Sequence, residues 1–387
     1  MMQLPIYPFR TPKVIWAAPG AVAKLGPEAK RLGATHVLLI TDRGLMATGA
    51  PQRLADLLTA QGLTCTIYGE VMAEPSAESL DPVVQLLQDE NANLVVGLGG
   101  GSAIDVAKAA ALLAANGGIA YDYFGTDRVP KPGIPVIAIP TTAGTGAEAT
   151  PNAIFTNTRT QVKEGIISPY MMPEVAIIDA ELTLTVPARV TAATGMDALT
   201  HAVEAYTSVK ATPTTDLYAA EAIRLIGRSI RTAVFRGADL AARTDMALGS
   251  LYAGIAICNA GTGAVHAMAY PLGGQFHVPH GIANATLLPY VLAYNIQGNV
   301  AKFAQVARLL GEPVDGLSDL EAAETAVAAI SRLCRDLSIP AHMSVFDVKA
   351  EDIRAMAEFA HATRRLMDNN PRNLTVDEVE AIYRAAL

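Results

Sequence analysis

Asn93-Leu-Val-Val-Gly-Leu-Gly-Gly-Gly-Ser-Ala-Ile-Asp-Val-Ala-Lys108 is the stretch on which the fold turns. An apolar run ends in three consecutive glycines, and a helical pattern follows at once. Residues 93–98 read as a buried strand and residues 102–116 as a helix stopped by Gly117-Gly118. Glycines let the chain turn sharply and let a ligand approach the backbone. The helix start then offers unpaired N–H groups and a partial positive charge to a phosphate. Gly99, Gly100 and Gly101 would form that cradle, with Ser102 capping the helix or bonding the phosphate. Asp105, counted with the same loop, and Lys108 lie one turn on, at a spacing that suits an ion pair or a polar cluster. Without a ligand, the same residues would make an ordinary strand-to-helix turn.

Outward from this stretch, short apolar runs alternate with helical patterns. Strands are expected at 35–42, 64–71, 93–98, 135–140 and 175–179, and helices at 51–61, 76–91 and 102–116. Strands that are continuous apolar runs between helices predict a mostly parallel sheet covered on both faces. The polar, Thr-rich residues 153–167 read as a β-hairpin turning at 157–159. After about Leu184 the β-branched runs stop. Ala-rich helical patterns follow at 188–206, 215–236, 243–259, 262–273, 282–294, 300–310, 320–337 and 376–386. The expected organisation is therefore an α/β domain over 1–184 and an all-α domain over 185–387. A cleft between two such halves is the usual place for a small-molecule site.

A second loop strengthens the phosphate reading. Pro140-Thr-Thr-Ala-Gly-Thr-Gly-Ala-Glu148 also follows a strand and supplies the hydroxyls of Thr141, Thr142 and Thr145. Two such loops at the carboxyl ends of neighbouring strands make a pyrophosphate cradle in an open α/β sheet. Asp42 closes the first clear strand. A carboxylate there could accept both ribose hydroxyls of an adenosine and would repel a 2′-phosphate; the plainer alternative is a helix-capping aspartate.

The helical half carries a different chemistry. Gly195-Met-Asp-Ala-Leu-Thr-His-Ala-Val-Glu-Ala-Tyr206 puts Asp197 and His201 at i and i+4, on one helix face. His266 follows, and His280 comes fourteen residues later, where Pro279 and Gly281 are expected to shape a loop. Only seven histidines occur in the chain, and three lie between 266 and 280. Three imidazoles and one carboxylate suit a divalent borderline metal, Fe²⁺ or Zn²⁺, with a coordination position left open. Each histidine alone would more simply be a core residue.

Composition narrows the function classes. The 387 residues are 51% apolar and 17% charged, which excludes a disordered chain and fits buried subunit contacts. Twenty-nine basic and 37 acidic residues give a net charge of −8, with no basic run of five, so neither nucleic acid nor an anionic membrane surface is an expected partner. Cys65, Cys258 and Cys334 lie far apart, in neither a CxxC motif nor an even framework, as expected for a reducing cytoplasm. The N-terminus lacks the apolar core of a signal peptide, and the most apolar stretches, such as 106–115, are too short to span a bilayer.

Taken together, GGGSAIDVAK, PTTAGTGAE, GMDALTHAVEAY and HAMAYPLGGQFHVPHGIANA resemble the iron-containing (group III) alcohol dehydrogenases along essentially the whole chain. The resemblance implies a dehydroquinate-synthase-like fold, an NAD-binding α/β domain followed by a helical metal-binding domain, and a homodimer or larger homo-oligomer. It implies the ligands Asp197, His201, His266 and His280. It adds Lys163 and Leu182 to the NAD contacts and places Asn152 near the nicotinamide and substrate, in a pocket with Phe155, Cys258 and residues near 366–369. Two positions depart from the family. Many members carry a further histidine four residues after the third ligand; here it is Tyr270, so the proton-relay candidates are His277 and Tyr270 itself. The Asn-Pro pair usual after the second strand is Glu74-Pro75.

The implied activity is reversible hydride transfer between NAD(H) and a small primary alcohol or aldehyde. The rivals are a zinc-dependent polyol dehydrogenase of glycerol type on the same fold, a dehydroquinate-synthase-type lyase, and a non-catalytic NAD-binding assembly protein. The lyase would need a cluster of basic residues for an acidic, phosphorylated substrate, and the metal motif shows none.

Overall fold

The computed structural model describes residues 6–160 and 162–387. Among these, six strands form one parallel sheet: β1 (Val14–Ala17), β2 (His36–Asp42), β3 (Thr64–Val71), β4 (Leu94–Gly99), β6 (Val136–Pro140) and β9 (Val175–Ile178), in the order β1-β9-β6-β4-β2-β3. The short β5 (Gly125–Thr126) and the strands β7 (Asn152–Asn157) and β8 (Val162–Ile167) form a second, three-stranded sheet. In it, β7 and β8 pair antiparallel, as the Thr-rich stretch predicts.

Alternate residues of the central strands feed separate cores. Leu38, Ile40 and Val95 join the cluster that includes Ala103, Val106 and Ala110 of the helix Gly101–Asn116. Val37, Leu39, Leu94 and Val96 join a cluster with Leu54 and Leu58 of the helix Ala50–Thr59. A sheet buried on both faces has no polar side, which is why its strands read as unbroken apolar runs.

The order also fixes where a ligand belongs. From β2 the chain goes to β3 on one side and then to β4 on the other, so the sheet reverses direction between β2 and β4. The carboxyl ends of strands flanking such a switch form the ligand crevice of open α/β sheets. Asp42 ends β2 and Gly99 ends β4.

Contacts divide the chain into Thr11–Thr185, and Val186–Leu387 with the N-terminal residues up to Arg10. The sequence reading left that N-terminal segment with the α/β part. It packs instead on the helical unit: the Arg10 N–H donates to Asn259 Oδ1 (2.7 Å), Asn259 Nδ2 donates to the Arg10 carbonyl (2.9 Å), and Phe9 stacks on Tyr218 (5.7 Å). No strand occurs in the described residues beyond Val186. The long helices include Ala188–Thr207, Pro213–Phe235, Leu240–Ala260, Ala264–Phe276, His280–Asn295 and Asp319–Asp336. No single helix among the described residues is long and apolar enough to cross a membrane.

Candidate functional site

In the helical unit, Asp197 and His201 share one face of the helix Ala188–Thr207, as their spacing requires, and Glu204 adds a third group one turn on. One ligand atom each of Asp197, His201 and His266 lies within 4.8 Å of the others, and all three residues are buried. The rings of His201 and His266 stack with centroids 4.6 Å apart. The His280 ring lies 5.4 Å from that of His266, and its Nε2 stands 3.8 Å from Asp197 Oδ1.

His280 is not on a loop, as the flanking proline and glycine predicted. It is the first residue of the helix His280–Asn295, with Pro279 at the N-cap. Gly281 explains the close approach. A Cβ there would stand 2.4 Å from the Ala193 carbonyl oxygen, so only glycine lets this helix start press against the helix carrying Asp197.

Two groups that sequence reasoning missed hold the cluster. Glu204 Oε1 accepts the Val265 N–H (2.7 Å), and Oε2 lies 2.5 Å from His266 Nδ1. Asn284 Nδ2 donates to Asp197 Oδ1 (2.7 Å) and lies 3.1 Å from His280 Nε2. The available signals were spacings: Glu204 is three residues after His201, and Asn284 four after His280. Burial works against the charged form of His266, but Glu204 and then Asp197 outweigh it and raise its pKa. Burial likewise opposes ionisation of Asp197, yet His201, His280 and His266 hold its pKa below the usual carboxylate value.

The donor set fits a metal ion. His266 Nε2 is buried with no hydrogen-bond partner. Leaving a polar atom so costs on the order of 1–3 kcal/mol unless a ligand takes it up. With Nδ1 tied to a carboxylate, Nε2 is the ring position left for a metal. Imidazole and carboxylate donors together suit Fe²⁺ or Zn²⁺.

In the α/β unit, the two loops meet at the sheet's switch point. Gly99 pairs with Pro140 across β4 and β6, and the Thr141 N–H donates to the Gly99 carbonyl (2.9 Å). Gly99 has φ +150°, and a Cβ on it would lie 2.7 Å from that of Ala103 and 3.6 Å from Asp42 Oδ2. Cβ atoms on Gly100 and Gly101 would meet the side chains of Thr142 (3.4 Å) and Thr145 (2.8 Å). The three glycines thus let the glycine loop pack closely against Ala103 and the threonines of the second loop.

Several expected contacts are otherwise engaged. Asp42 caps the turn Arg43–Met46, its Oδ1 accepting from the Leu45 N–H at 3.0 Å, which leaves Oδ2 beside Gly99. Ser102 is not the helix cap; Gly100 occupies that place, and the Ser102 hydroxyl donates to the Ala73 carbonyl. Asp105 acts as a structural clamp. Its carboxylate pairs with Lys108 (3.2 Å) and accepts the Ile154 N–H (3.0 Å). Lys108 is itself buried and donates to the carbonyls of Ala147 (2.9 Å), Thr150 (3.2 Å) and Asn152, which fastens the second loop to the glycine-loop helix. Lys163 pairs with Glu74 (3.2 Å), the residue that departs from the family pattern. The Leu182 side chain belongs to the core of the α/β unit.

The substrate and proton candidates divide between the two units. Asn152 opens β7, half-buried. Phe155 is 1% exposed and fills the core beside Val106 and Ala110, which leaves it no face for a ligand. The Cys258 Sγ lies 3.6 Å from the Arg10 carbonyl oxygen. His277 is exposed and ends the helix Ala264–Phe276 in a left-handed conformation, φ 55°. Tyr270, one turn after His266 on that helix, accepts at its hydroxyl from Arg365 Nη2 (3.3 Å).

Comparison with known proteins gives two family-model matches: iron-containing alcohol dehydrogenase over residues 12–180, and the Fe-containing alcohol dehydrogenase family, C-terminal, over 191–387. The chain is 45% identical to long-chain-alcohol dehydrogenase 1 of Geobacillus thermodenitrificans (strain NG80-2), covering 95% of this chain and 93% of that protein. It is 41% identical to an NAD-dependent methanol dehydrogenase of Bacillus methanolicus, over 95% of each. The crystal structure of a 1,3-propanediol oxidoreductase superposes with a TM-score of 0.97 at 42% identity, covering 99% of this chain and 100% of that one.

Proposed function

The chain belongs to the iron-containing alcohol dehydrogenase family, and from that premise we propose that it interconverts a small primary alcohol and its aldehyde with NAD(H) and Fe²⁺. Asp197, His201, His266 and His280 would hold the ion. Zinc shares these ligands, and a polyol dehydrogenase on the same fold is the in-class alternative. The single observation that carries the reading is the bare, buried Nε2 of His266 within the Asp197–His201 cluster.

Bound there, a divalent ion supplies Lewis acidity towards an alcohol or aldehyde oxygen, and the nicotinamide carries the hydride. The chain's own groups do the rest. Glu204 keeps the His266 ring proton on Nδ1 and so presents Nε2 as the donor. Asn284 fixes the Asp197 carboxylate. The glycine and threonine loops bind the pyrophosphate through backbone N–H groups and hydroxyls, and Asp42 Oδ2 accepts from the adenosine ribose. His277 or Tyr270 would relay the alcohol proton. The same reading carries a cytoplasmic homodimer or larger homo-oligomer, supported by the absence of a disulfide among Cys65, Cys258 and Cys334 and by the exposed Leu217, Val209 and Phe235.

NADH oxidation with short aldehydes tests the reading on protein stripped of metal and then reloaded with Fe²⁺ or Zn²⁺. Turnover is expected only after reloading, and His266→Ala should lose more than about tenfold of it, on the order of 1.4 kcal/mol in barrier, while still binding NAD. Turnover that survives stripping, or that is intact in the variant, would overturn it.

A further inference from the structure

The helix Ala264–Phe276, which carries His266, does not secure its own start. Gly263 at its N-cap has no side chain to meet the first free N–H groups, and Pro271 removes a hydrogen bond from its interior. Two side chains from elsewhere take up the first N–H groups. Glu204 Oε1 accepts that of Val265, and Asn370 Oδ1, close to the C-terminus, accepts that of Ala264 (3.4 Å). A Cβ on Gly263 would stand 3.3 Å from both oxygens, so the two acceptors converge on the helix start.

Asn370 is buried and its amide is saturated. Oδ1 also accepts from Asn295 Nδ2 (2.8 Å), and Nδ2 donates to Asn295 Oδ1 (2.8 Å) and to the Arg372 carbonyl (2.8 Å). An amide has two acceptor sites and two donors, so Asn370 has none left for an ion. Asn295 ends the helix that begins with His280. The neighbouring Asn369 donates to the Thr262 carbonyl (2.8 Å), and its own carbonyl accepts the Val209 N–H (3.0 Å), just past the helix of Asp197 and His201. Tyr383, fully buried, donates its hydroxyl to the Met268 carbonyl (2.6 Å). C-terminal side chains therefore hold the ligand helix two residues before His266 and two residues after it. We propose that Asn370 is a positioning residue for the metal centre, with Tyr383 its counterpart beyond His266, so that metal affinity and ligand geometry depend on a C-terminal clasp that supplies no ligand. A binding constellation has to be held within about 0.5 Å of its working geometry, which a helix loose at its start does not ensure. The proposal rests on the metal reading above and deepens it.

The probe is Co²⁺, loaded into the full-length protein after metal removal, because its visible absorption bands report ligand number and geometry. Asn370→Ala should lower Co²⁺ affinity about tenfold in chelator competition and alter the bands. Tyr383→Phe removes a single hydroxyl and should lower the affinity about threefold, with a band change of the same kind. Ile330→Val, in the buried face of the helix Asp319–Asp336, is the control for stability alone. It should lower the urea midpoint and leave both metal readouts at their native values. If Asn370→Ala does not fold, Tyr383→Phe decides. Native affinity and native bands in the folded variants overturn the proposal while the metal reading stands, and so does a control that shifts both readouts as far as the variants do. A native protein that takes up no Co²⁺ overturns the metal reading and the proposal with it.

Discussion

Glu204 shows how one residue organises the centre. Its two oxygens bond the Val265 N–H and His266 Nδ1, so one carboxylate both starts the helix Ala264–Phe276 and aims the imidazole. Glu204→Gln keeps the size and the acceptor for Val265 but removes the charge at Nδ1. Metal affinity should fall by about 10–100-fold, the usual cost of losing such a partner, with the fold intact. Chelator competition measures it, and an unchanged affinity would reduce Glu204 to packing. The cluster of Asp197, His201 and His266, with His280 beside it, was legible because helical spacing and histidine crowding are sequence properties. Glu204 was not, because an acid on a helix is ordinarily solvated; only the packing that leaves it 6% exposed makes it part of the site. The clamp role of Asp105 was hidden for the converse reason. Proximity to the glycine loop in sequence said nothing of the Ile154 N–H that claims it.

Among the elements, the glycine loop carries the sharpest consequence. Gly99 combines φ +150° with a neighbour 2.7 Å from where a Cβ would be, so Gly99→Ala is strained and crowded together. The loop must shift, and with it the pairing of Gly99 with Pro140. The dissociation constant for NAD should rise at least about tenfold, on the order of 1.4 kcal/mol. Metal content should hold, since the ligands belong to the other unit. Equal NAD affinity in fluorescence titration would remove the loop from the cofactor site. The elements missed in the sequence are those with the least local signal. β1 (Val14–Ala17) is four residues long, follows a proline-rich stretch, and gains its place only by pairing with β9, some 160 residues later. The helix Ile353–Ala362 was also missed, although Ile353, Met356, Ala357 and Ala360 form one buried face. Long buried strands were legible because both sheet faces are covered.

For the whole molecule, acid–base behaviour follows from what the α/β unit buries. Glu148, in the second loop, is 2% exposed, and burial pushes its carboxyl from the ordinary 4.5 up to about 7, against weaker opposing effects of its backbone hydrogen bond and Lys108. Between these values the folded protein keeps a proton that the unfolded chain releases. The stabilisation is therefore complete below about pH 4.5, declines as the pH rises, and is gone above about pH 7. The interval corresponds to about 3 kcal/mol at most. Glu148→Gln stays neutral throughout, so its stability should match the native protein at pH 4.5 and exceed it increasingly up to pH 7, then run parallel above. Urea midpoints from pH 4 to 8 read the difference directly. Curves that stay parallel across the whole range would mean that Glu148 is ionised in the folded state and that Lys108, already bonded to the loop carbonyls, carries its charge.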